Sequence, residues 1–113
     1  MIKILHNNRC SKSRCGLELL ENSGKPFKII KYLEDTLTAK ELKDIIKLLD
    51  IKPIELIRKN EAIWKTEFKN HPLTDDQIID AMVKNPKLIE RPIVINGYKA
   101  VIGRPTEKIS EII

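Results

Sequence analysis

The sequence predicts an α/β fold with a four-stranded mixed sheet. Three observations support this prediction: a strand–helix–strand unit at the amino terminus, a helical middle, and a hairpin followed by a final helix. The length of 113 residues fits a single domain over 1–113, with a helical insertion at about 38–85. Hydrophobic residues make up 42% of the chain, which is enough to form a core.

The amino-terminal part predicts a βαβ unit. Residues 2–6 are rich in apolar side chains and predict a strand, and the polar residues 7–11 can cap a following helix. We expect that helix from Ser11 to Asn22, because Ser23-Gly24 is typical of a helix end. Residues 27–32 predict a second strand, which lies parallel to the first in a right-handed crossover.

Two capping boxes predict helices in the middle of the chain. Thr38 and Thr74 are each followed three residues later by Glu41 or Gln77, and apolar residues then recur at helical spacing. The expected buried positions are Leu42, Ile45, Ile46 and Leu49 in one helix and Ile78, Ile79, Met82 and Val83 in the other. A short helix is expected over 53–58. Residues 59–73 show no clear period, and their Trp64 and Phe68 either anchor a flap or pack onto the core.

The carboxy-terminal part predicts a β-hairpin. Asn96-Gly97 separates the apolar runs 93–95 and 98–102, and this dipeptide is typical of a type I′ turn with positive φ at both central residues. Residues 106–113 predict a closing helix. The complete order is β-α-β, helices, β-β-α, which fits a thioredoxin-like architecture.

Cys10 is the first candidate for chemistry, because it lies between the first strand and the first helix. Backbone N–H groups at a helix start stabilise a thiolate and lower the pKa of the thiol below about 8.5. Arg9 and Arg14 supply positive charge beside it, and His6 lies at the end of the strand.

Cys15 is expected to be a buried helix residue. Residues five apart on an ideal helix have Cα atoms roughly 8.7 Å apart, which exceeds the span of a disulfide. A redox pair usually has the spacing Cys-x-x-Cys, and the corresponding position holds Ser13. We therefore expect any resolving thiol to come from another molecule.

The positive charge divides into two patterns. The formal net charge is +5, and the sixteen lysines are scattered, as expected for a solvated surface. The five arginines are more informative, because a planar guanidinium binds two oxygens of an oxyanion. Nucleic acid binding is not expected, since no basic stripe alternates with aromatic residues. No apolar run predicts a membrane span or a signal peptide, so we expect a soluble cytoplasmic protein.

Five segments together resemble the glutaredoxin-coupled arsenate reductases of the ArsC family. Residues 6–14 (HNNRCSKSR) resemble the active-site segment of that family, and residues 56–60 (LIRKN) its second motif. Residues 73–80 are similar to the next helix, and residues 91–94 (RPIV) and 103–105 (GRP) match the last two motifs. The resemblance covers essentially the whole chain in the right order.

The resemblance implies a function and a set of site residues. Cys10 corresponds to the nucleophile, and Arg58, Arg91 and Arg104 to the residues that bind the oxyanion. His6 and Ser13 correspond to residues that tune the thiolate, with Arg14 as a further candidate, and Pro92 to a cis-proline. The implied reaction is reduction of arsenate to arsenite in arsenic detoxification, with glutathione and glutaredoxin as reductants and no bound metal or organic cofactor.

Two other functions stay open from the sequence. Spx-like transcriptional regulators, which bind RNA polymerase, share the fold, a cysteine motif and an Arg-Pro segment; many carry a Cys-x-x-Cys switch, where this chain has Ser13. A thiol oxidoreductase with another substrate is the third candidate, because sites rather than folds determine function. The segments at Arg58 and Arg104 favour the reductase.

Overall fold

The computed structural model describes all residues from 1 to 113. They form two compact units. The first contains residues 1–35 and 91–113, and the second contains residues 36–90. The predicted helical insertion at 38–85 falls within the second unit. No helix combines the length and the apolar character needed to cross a membrane.

The first unit contains the predicted four-stranded mixed sheet. Its strands are β1 (Ile2–Leu5), β2 (Phe27–Ile30), β3 (Ile93–Asn96) and β4 (Lys99–Ile102), in the spatial order β2-β1-β3-β4. β1 pairs in parallel with β2 and antiparallel with β3, and β3 pairs antiparallel with β4. The fold class predicted from the element order is confirmed.

Helix α1 (Ser11–Asn22) connects β1 to β2 over the predicted range. It ends at Ser23, and Gly24 adopts a φ of +71°, a conformation that glycine adopts without steric cost. The predicted closing helix is a 3-10 helix over Thr106–Glu111. The core of this unit contains Ile2, Ile4, Leu20, Val94 and Ile109.

The hairpin turn lies one residue later than predicted. Asn96 pairs with Lys99, so the two central residues are Gly97 and Tyr98 rather than Asn96 and Gly97. Only Gly97 has a positive φ, of +61°, so the turn is not type I′. Glycine at the first central position with the only positive φ is the pattern of a type II′ turn. Asn96 extends β3, and its side-chain amide donates to the Ile112 carbonyl.

The second unit contains helices α2 (Ala39–Leu49) and α3 (Asp75–Lys84). Both predicted capping boxes are present, with reciprocal side-chain and backbone hydrogen bonds at Thr38–Glu41 and Thr74–Gln77. Leu49 and Val83 are half-buried, whereas the other predicted apolar positions of the two helices are buried. Short 3-10 helices cover Pro53–Leu56 and Pro86–Leu88.

The aperiodic segment 59–73 contains a short π-helix, Trp64–Phe68. Trp64 is buried, and its ring stacks on that of Phe68 with centroids 5.8 Å apart. The two residues are four apart, a spacing that brings side chains together on a helix surface. The two rings therefore pack against each other, and the choice between a flap anchor and packing onto the core stays a prediction.

Candidate active site

Cys10 lies at the position that immediately precedes the first turn of α1. Its backbone is extended, with φ −96° and ψ 122°, and its carbonyl accepts the first helical hydrogen bond from the Arg14 amide at 3.0 Å. The Cys10 amide donates to the Asn7 carbonyl at 3.1 Å, which fixes the loop from β1. The sulfur is therefore held beside the unpaired N–H groups of the helix start.

The pKa of the Cys10 thiol is lowered by the groups around it. Partial burial raises the pKa, but the backbone N–H groups of Ser13 and Lys12 and the hydrogen bond and charge of Arg91 lower it by more. The backbone N–H of Ser13 contributes most among these favourable interactions. Each stabilises the charged form of the sulfur, so the site favours a thiolate.

Two arginines converge on the thiolate because of the register of the β3–β4 hairpin. Ile93 of β3 pairs with Ile102 of β4. Arg91 lies two residues before Ile93, and Arg104 lies two residues after Ile102. The Arg104 Nε donates to the Arg91 carbonyl at 2.8 Å, and Arg104 Nη2 lies 3.7 Å from Cys10 Sγ. Arg91 is only 8% exposed. The first unit thus places two guanidinium groups around one nucleophile.

His6 and Ser13 are hydrogen-bonded to each other at the two ends of the loop between β1 and α1. His6 is 3% exposed, and its Nδ1 shares a hydrogen bond of 2.6 Å with the fully buried Ser13 Oγ. The same hydroxyl accepts the Asn7 amide at 2.9 Å. Ser13 therefore acts on the thiol through its backbone N–H, while its side chain ties β1 to the start of α1.

Arg14 has a different role from the one predicted for it. Its Nη1 donates to the Asn8 carbonyl at 2.9 Å, and it is not among the groups that lower the pKa of Cys10. Arg9 is exposed, and its backbone N–H donates to the Asn7 side chain at 3.0 Å. Arg9 lies in the loop and Arg14 in the first turn of α1, but the charge that acts on the sulfur comes from Arg91, which is distant in sequence.

Arg58 belongs to the second unit, where two carboxylates hold it. Its Nε lies 3.5 Å from Glu90 Oε1 and 4.0 Å from Glu61 Oε1, and its backbone N–H donates to the Leu88 carbonyl at 2.7 Å. Its Nη1 is buried without a hydrogen-bond partner. A buried guanidinium nitrogen in this state is a strong donor for an anion.

Comparisons with known proteins give a consistent result. The sequence profile described as the ArsC family matches residues 5–112. The chain belongs to the ArsC family. It is 44% identical to the uncharacterized protein YfgD of Escherichia coli (strain K12), covering 99% of this chain and 96% of that protein.

Two further relatives carry the name arsenate reductase. One, from Neisseria meningitidis serogroup B, is 40% identical over 99% of this chain and 97% of its own length. The other, from Vibrio cholerae, is a solved structure with a TM-score of 0.93 and 41% identity, covering 99% of this chain and 97% of its own. The whole length of this ArsC-family chain, including the site segments, is thus similar to named relatives.

The prediction that Cys15 is buried is wrong. Cys15 is exposed, and both cysteines are free thiols. The buried positions of α1 are Ser13, Gly16 and Leu20, which recur at spacings of three and four. Cys15 precedes Gly16 and lies about 100° around the helix from it, so it faces solvent.

Gly16 in α1 and Gly103 after β4 each allow close packing against Pro92, and the sequence analysis did not single them out. A Cβ atom at Gly16 would lie 2.9 Å from Pro92 Cγ, and one at Gly103 would lie 3.0 Å from the same atom. Pro92 follows a cis peptide bond, as does Pro105 after Arg104. A glycine inside a predicted helix was the available signal for close packing.

No group of three or more His, Cys, Asp or Glu side chains is arranged to hold a metal ion. In the first unit of this ArsC-family protein, the site consists of the Cys10 sulfur with Arg91 and Arg104 beside it. Such a set can bind a small oxyanion and attack its central atom.

Proposed function

We propose that this protein reduces arsenate to arsenite, with Cys10 as the nucleophile and glutathione and glutaredoxin as reductants. The observation that carries this proposal is the thiolate-stabilised Cys10 with Arg104 Nη2 3.7 Å from its sulfur and Arg91 beside it. Membership of the ArsC family and relatives named arsenate reductase support it. The reductants come from the resemblance of the motif segments to the glutaredoxin-coupled members.

In the first step the Cys10 thiolate attacks arsenic. A sulfur–arsenic bond forms and one arsenate oxygen leaves as water after accepting two protons, so arsenic stays in the +5 state. Negative charge builds on the remaining oxygens during attack, and fixed guanidinium donors stabilise it without reorganising. Arg91 and Arg104 supply these donors, and Arg58 is assigned to the same anion through the resemblance of its motif.

The reducing electrons come from two thiols outside this chain. Glutathione displaces a second arsenic oxygen as water and forms a sulfur–arsenic bond of its own. A glutaredoxin thiolate then attacks the glutathione sulfur, which forms a mixed disulfide and leaves two electrons on arsenic. Water finally hydrolyses the Cys10–arsenic bond, which releases arsenite and the free Cys10 thiol. Overall, arsenic gains two electrons and loses one oxygen as water, while two thiols become a disulfide. The exposed, unpaired Cys15 is not assigned a part in this sequence, because an ideal helix separates it from Cys10 by roughly 8.7 Å between Cα atoms.

The proposal is tested by arsenate-dependent oxidation of NADPH in the presence of glutathione, glutaredoxin and glutathione reductase. We expect turnover by the wild-type protein and none by Cys10→Ser. Arg104→Ala should lower kcat about 100-fold, because it removes one donor from the developing charge, and Arg104→Lys should recover part of that loss.

Cys15→Ser is the matched control, since it makes the same substitution at the other cysteine. It should retain nearly full activity. Absence of arsenate-dependent turnover in the wild-type protein would reject the proposal. Loss of activity in Cys15→Ser would reject the single-cysteine mechanism while leaving the substrate assignment in place.

A further inference from the structure

A cavity of about 400 Å³ lies beside the Cys10 loop in the first unit. Residues 6–9 form one side, and Lys31, Leu33 and Glu34 form the other. These residues follow the carboxyl ends of the parallel strands β1 and β2, which are joined there by the His6 amide and the Ile30 carbonyl at 3.0 Å. In open α/β sheets, this is the edge at which ligands bind.

The cavity carries three charged side chains that have no ion-pair partner. Arg9, Lys31 and Glu34 are all exposed, and none of them is part of an ion pair. Lys31 and Glu34 occupy one tight turn, in which the Lys31 carbonyl accepts the Glu34 amide at 3.0 Å. The buried Tyr32 anchors this turn. One wall of the cavity thus carries the cation Lys31 and the anion Glu34, and the other wall carries the cation Arg9.

This pattern is complementary to glutathione. One end of that tripeptide is an α-amino acid with an ammonium and a carboxylate, and the other end is a single glycine carboxylate. Glu34 and Lys31 match the first end, and Arg9 matches the second, because a guanidinium binds a carboxylate with two parallel hydrogen bonds. Leu33, 40% exposed, offers apolar surface to the methylene groups between them.

Arg9, which lines the cavity, immediately precedes Cys10 in the same loop. Arg9 and Cys10 are consecutive, so their Cα atoms are about 3.8 Å apart. A fully extended tripeptide spans about 10 Å, and the thiol of glutathione lies at its middle residue. A glutathione molecule bound through Arg9 would therefore present its thiol from the cavity beside the Cys10 loop.

We propose that this cavity is the glutathione subsite, with Lys31 and Glu34 binding the γ-glutamyl end and Arg9 the glycine carboxylate. The proposal rests on the proposed function, because it assigns a place to the thiol that attacks the Cys10 adduct. It makes Arg9, Lys31 and Glu34 specificity residues for the reductant rather than for the oxyanion.

Binding is tested with S-methylglutathione, which cannot react, by following backbone amide signals of the complete chain in NMR titrations. We expect saturable shifts at residues 6–9 and 31–34. Lys31→Glu should weaken binding about tenfold, by removing a cation and adding a repulsive carboxylate. Lys28→Glu is the matched control, because Lys28 is an exposed lysine on β2 outside the cavity wall, and it should leave the affinity unchanged.

A second titration tests the orientation of the ligand. S-methylglutathione with its glycine carboxylate converted to an amide should bind the wild-type protein several-fold more weakly than the acid. Arg9→Ala should bind the acid and the amide equally, since the group that distinguishes them is gone. A preference for the acid that survives in Arg9→Ala would reject the assigned orientation.

The outcomes separate this proposal from the proposed function. Absence of saturable shifts at 6–9 and 31–34, or equal weakening by Lys31→Glu and Lys28→Glu, would reject the subsite even if the protein reduces arsenate. Binding with the expected variant pattern would support the subsite even in a protein without arsenate turnover. Where turnover is present, Lys31→Glu should raise the KM for glutathione and leave the KM for arsenate unchanged.

Discussion

The thiol of Cys10 is subject to two opposing effects. Burial favours the neutral form, whereas backbone N–H groups at the start of α1 and the charge of Arg91 favour the thiolate and prevail. The first of these favourable contributions is local and follows from the position of Cys10 before a helix. The second depends on a residue more than eighty positions away, which only the folded sheet brings close.

We predict that alkylation of Cys10 by iodoacetamide follows a titration with its midpoint below that of a cysteine in an unfolded peptide. The measurement uses Cys15→Ser, because the exposed Cys15 would otherwise react as well. Arg91→Gln should move the midpoint upward, since it removes a positive charge near the sulfur. A midpoint in the Cys15→Ser protein at or above that of the unfolded peptide would contradict the prediction.

The same shift in pKa has a defined effect on stability. A thiol whose pKa is lower in the folded than in the unfolded chain stabilises the fold fully above the unfolded pKa, and this stabilisation is lost as the pH falls through the folded pKa. The free energy of unfolding of the wild-type protein, relative to Cys10→Ser, should therefore rise with pH between the lowered thiol pKa of the folded chain and the ordinary thiol pKa of about 8.5. Urea unfolding of both proteins across this range measures the difference.

The lysines are solvent-exposed, as the sequence analysis expected, and so are Arg9 and Arg14. All sixteen lysines are exposed, whereas Arg91 is buried and Arg58 and Arg104 are half-buried. The prediction for Cys15 failed because the apolar stripe of α1 is narrow. Its deepest positions hold serine and glycine, which a search for apolar residues at helical spacing does not detect.

At the level of the elements, the sequence correctly predicted the features that depend on interactions between residues close together in the chain. The bounds of α1 and the two capping boxes follow from short-range hydrogen bonds and were predicted correctly. The π-helix Trp64–Phe68 was not, because its five residues carry no periodic pattern. The shape of this segment depends on the burial of Trp64, a tertiary property.

The predicted and the observed hairpin turns differ by one residue, and this difference changes which residue lies opposite Arg91. A turn centred on Asn96 and Gly97 pairs residue 95 with 98, and this register would place Arg91 opposite Ile102. The observed turn pairs Asn96 with Lys99, which places Arg91 opposite Arg104 instead. Resemblance to the family supplied both arginines, but only the observed register explains why they meet at Cys10.

Close packing of α1 against Pro92 leads to a prediction for Gly16. Alanine is normally the better helix former, by about 1 kcal/mol, but a Cβ at Gly16 would lie 2.9 Å from Pro92 Cγ and 3.1 Å from Ile109 Cδ1. We therefore expect Gly16→Ala to lower the free energy of unfolding by about 1–3 kcal/mol, as overpacked substitutions do. Urea unfolding monitored by circular dichroism measures this change.

Glu18→Ala on the exposed side of the same helix is the control for Gly16→Ala. It should change the free energy of unfolding by no more than about 0.5 kcal/mol, as is usual for surface substitutions. A stabilised Gly16→Ala protein would mean that helix propensity outweighs the contact with Pro92.

At the scale of the whole molecule, the charge of the chain has two functions that can be tested separately. The sixteen exposed lysines balance the sixteen Asp and Glu residues, so the net charge of +5 equals the number of arginines. Of these arginines, Arg91 and Arg104 place donors at the Cys10 thiol. If the arginines form a specific oxyanion site, a tetrahedral anion must bind the folded chain and stabilise it. If they do not, any stabilisation must come from the general effect of the salt.

We predict that arsenate raises the Tm of Cys10→Ser, which cannot form the sulfur adduct. At ten times its Kd, a ligand that binds only the folded state adds about 1.4 kcal/mol, or about 5 °C for a chain of this size. Arg104→Gln introduced into Cys10→Ser should lose most of this shift, whereas Lys28→Gln should retain it, because Arg104 lies at the thiol and Lys28 lies on β2. Scanning calorimetry at constant ionic strength separates the cases: equal shifts in both double variants would show that arsenate acts as a general salt and that these arginines do not form an oxyanion site.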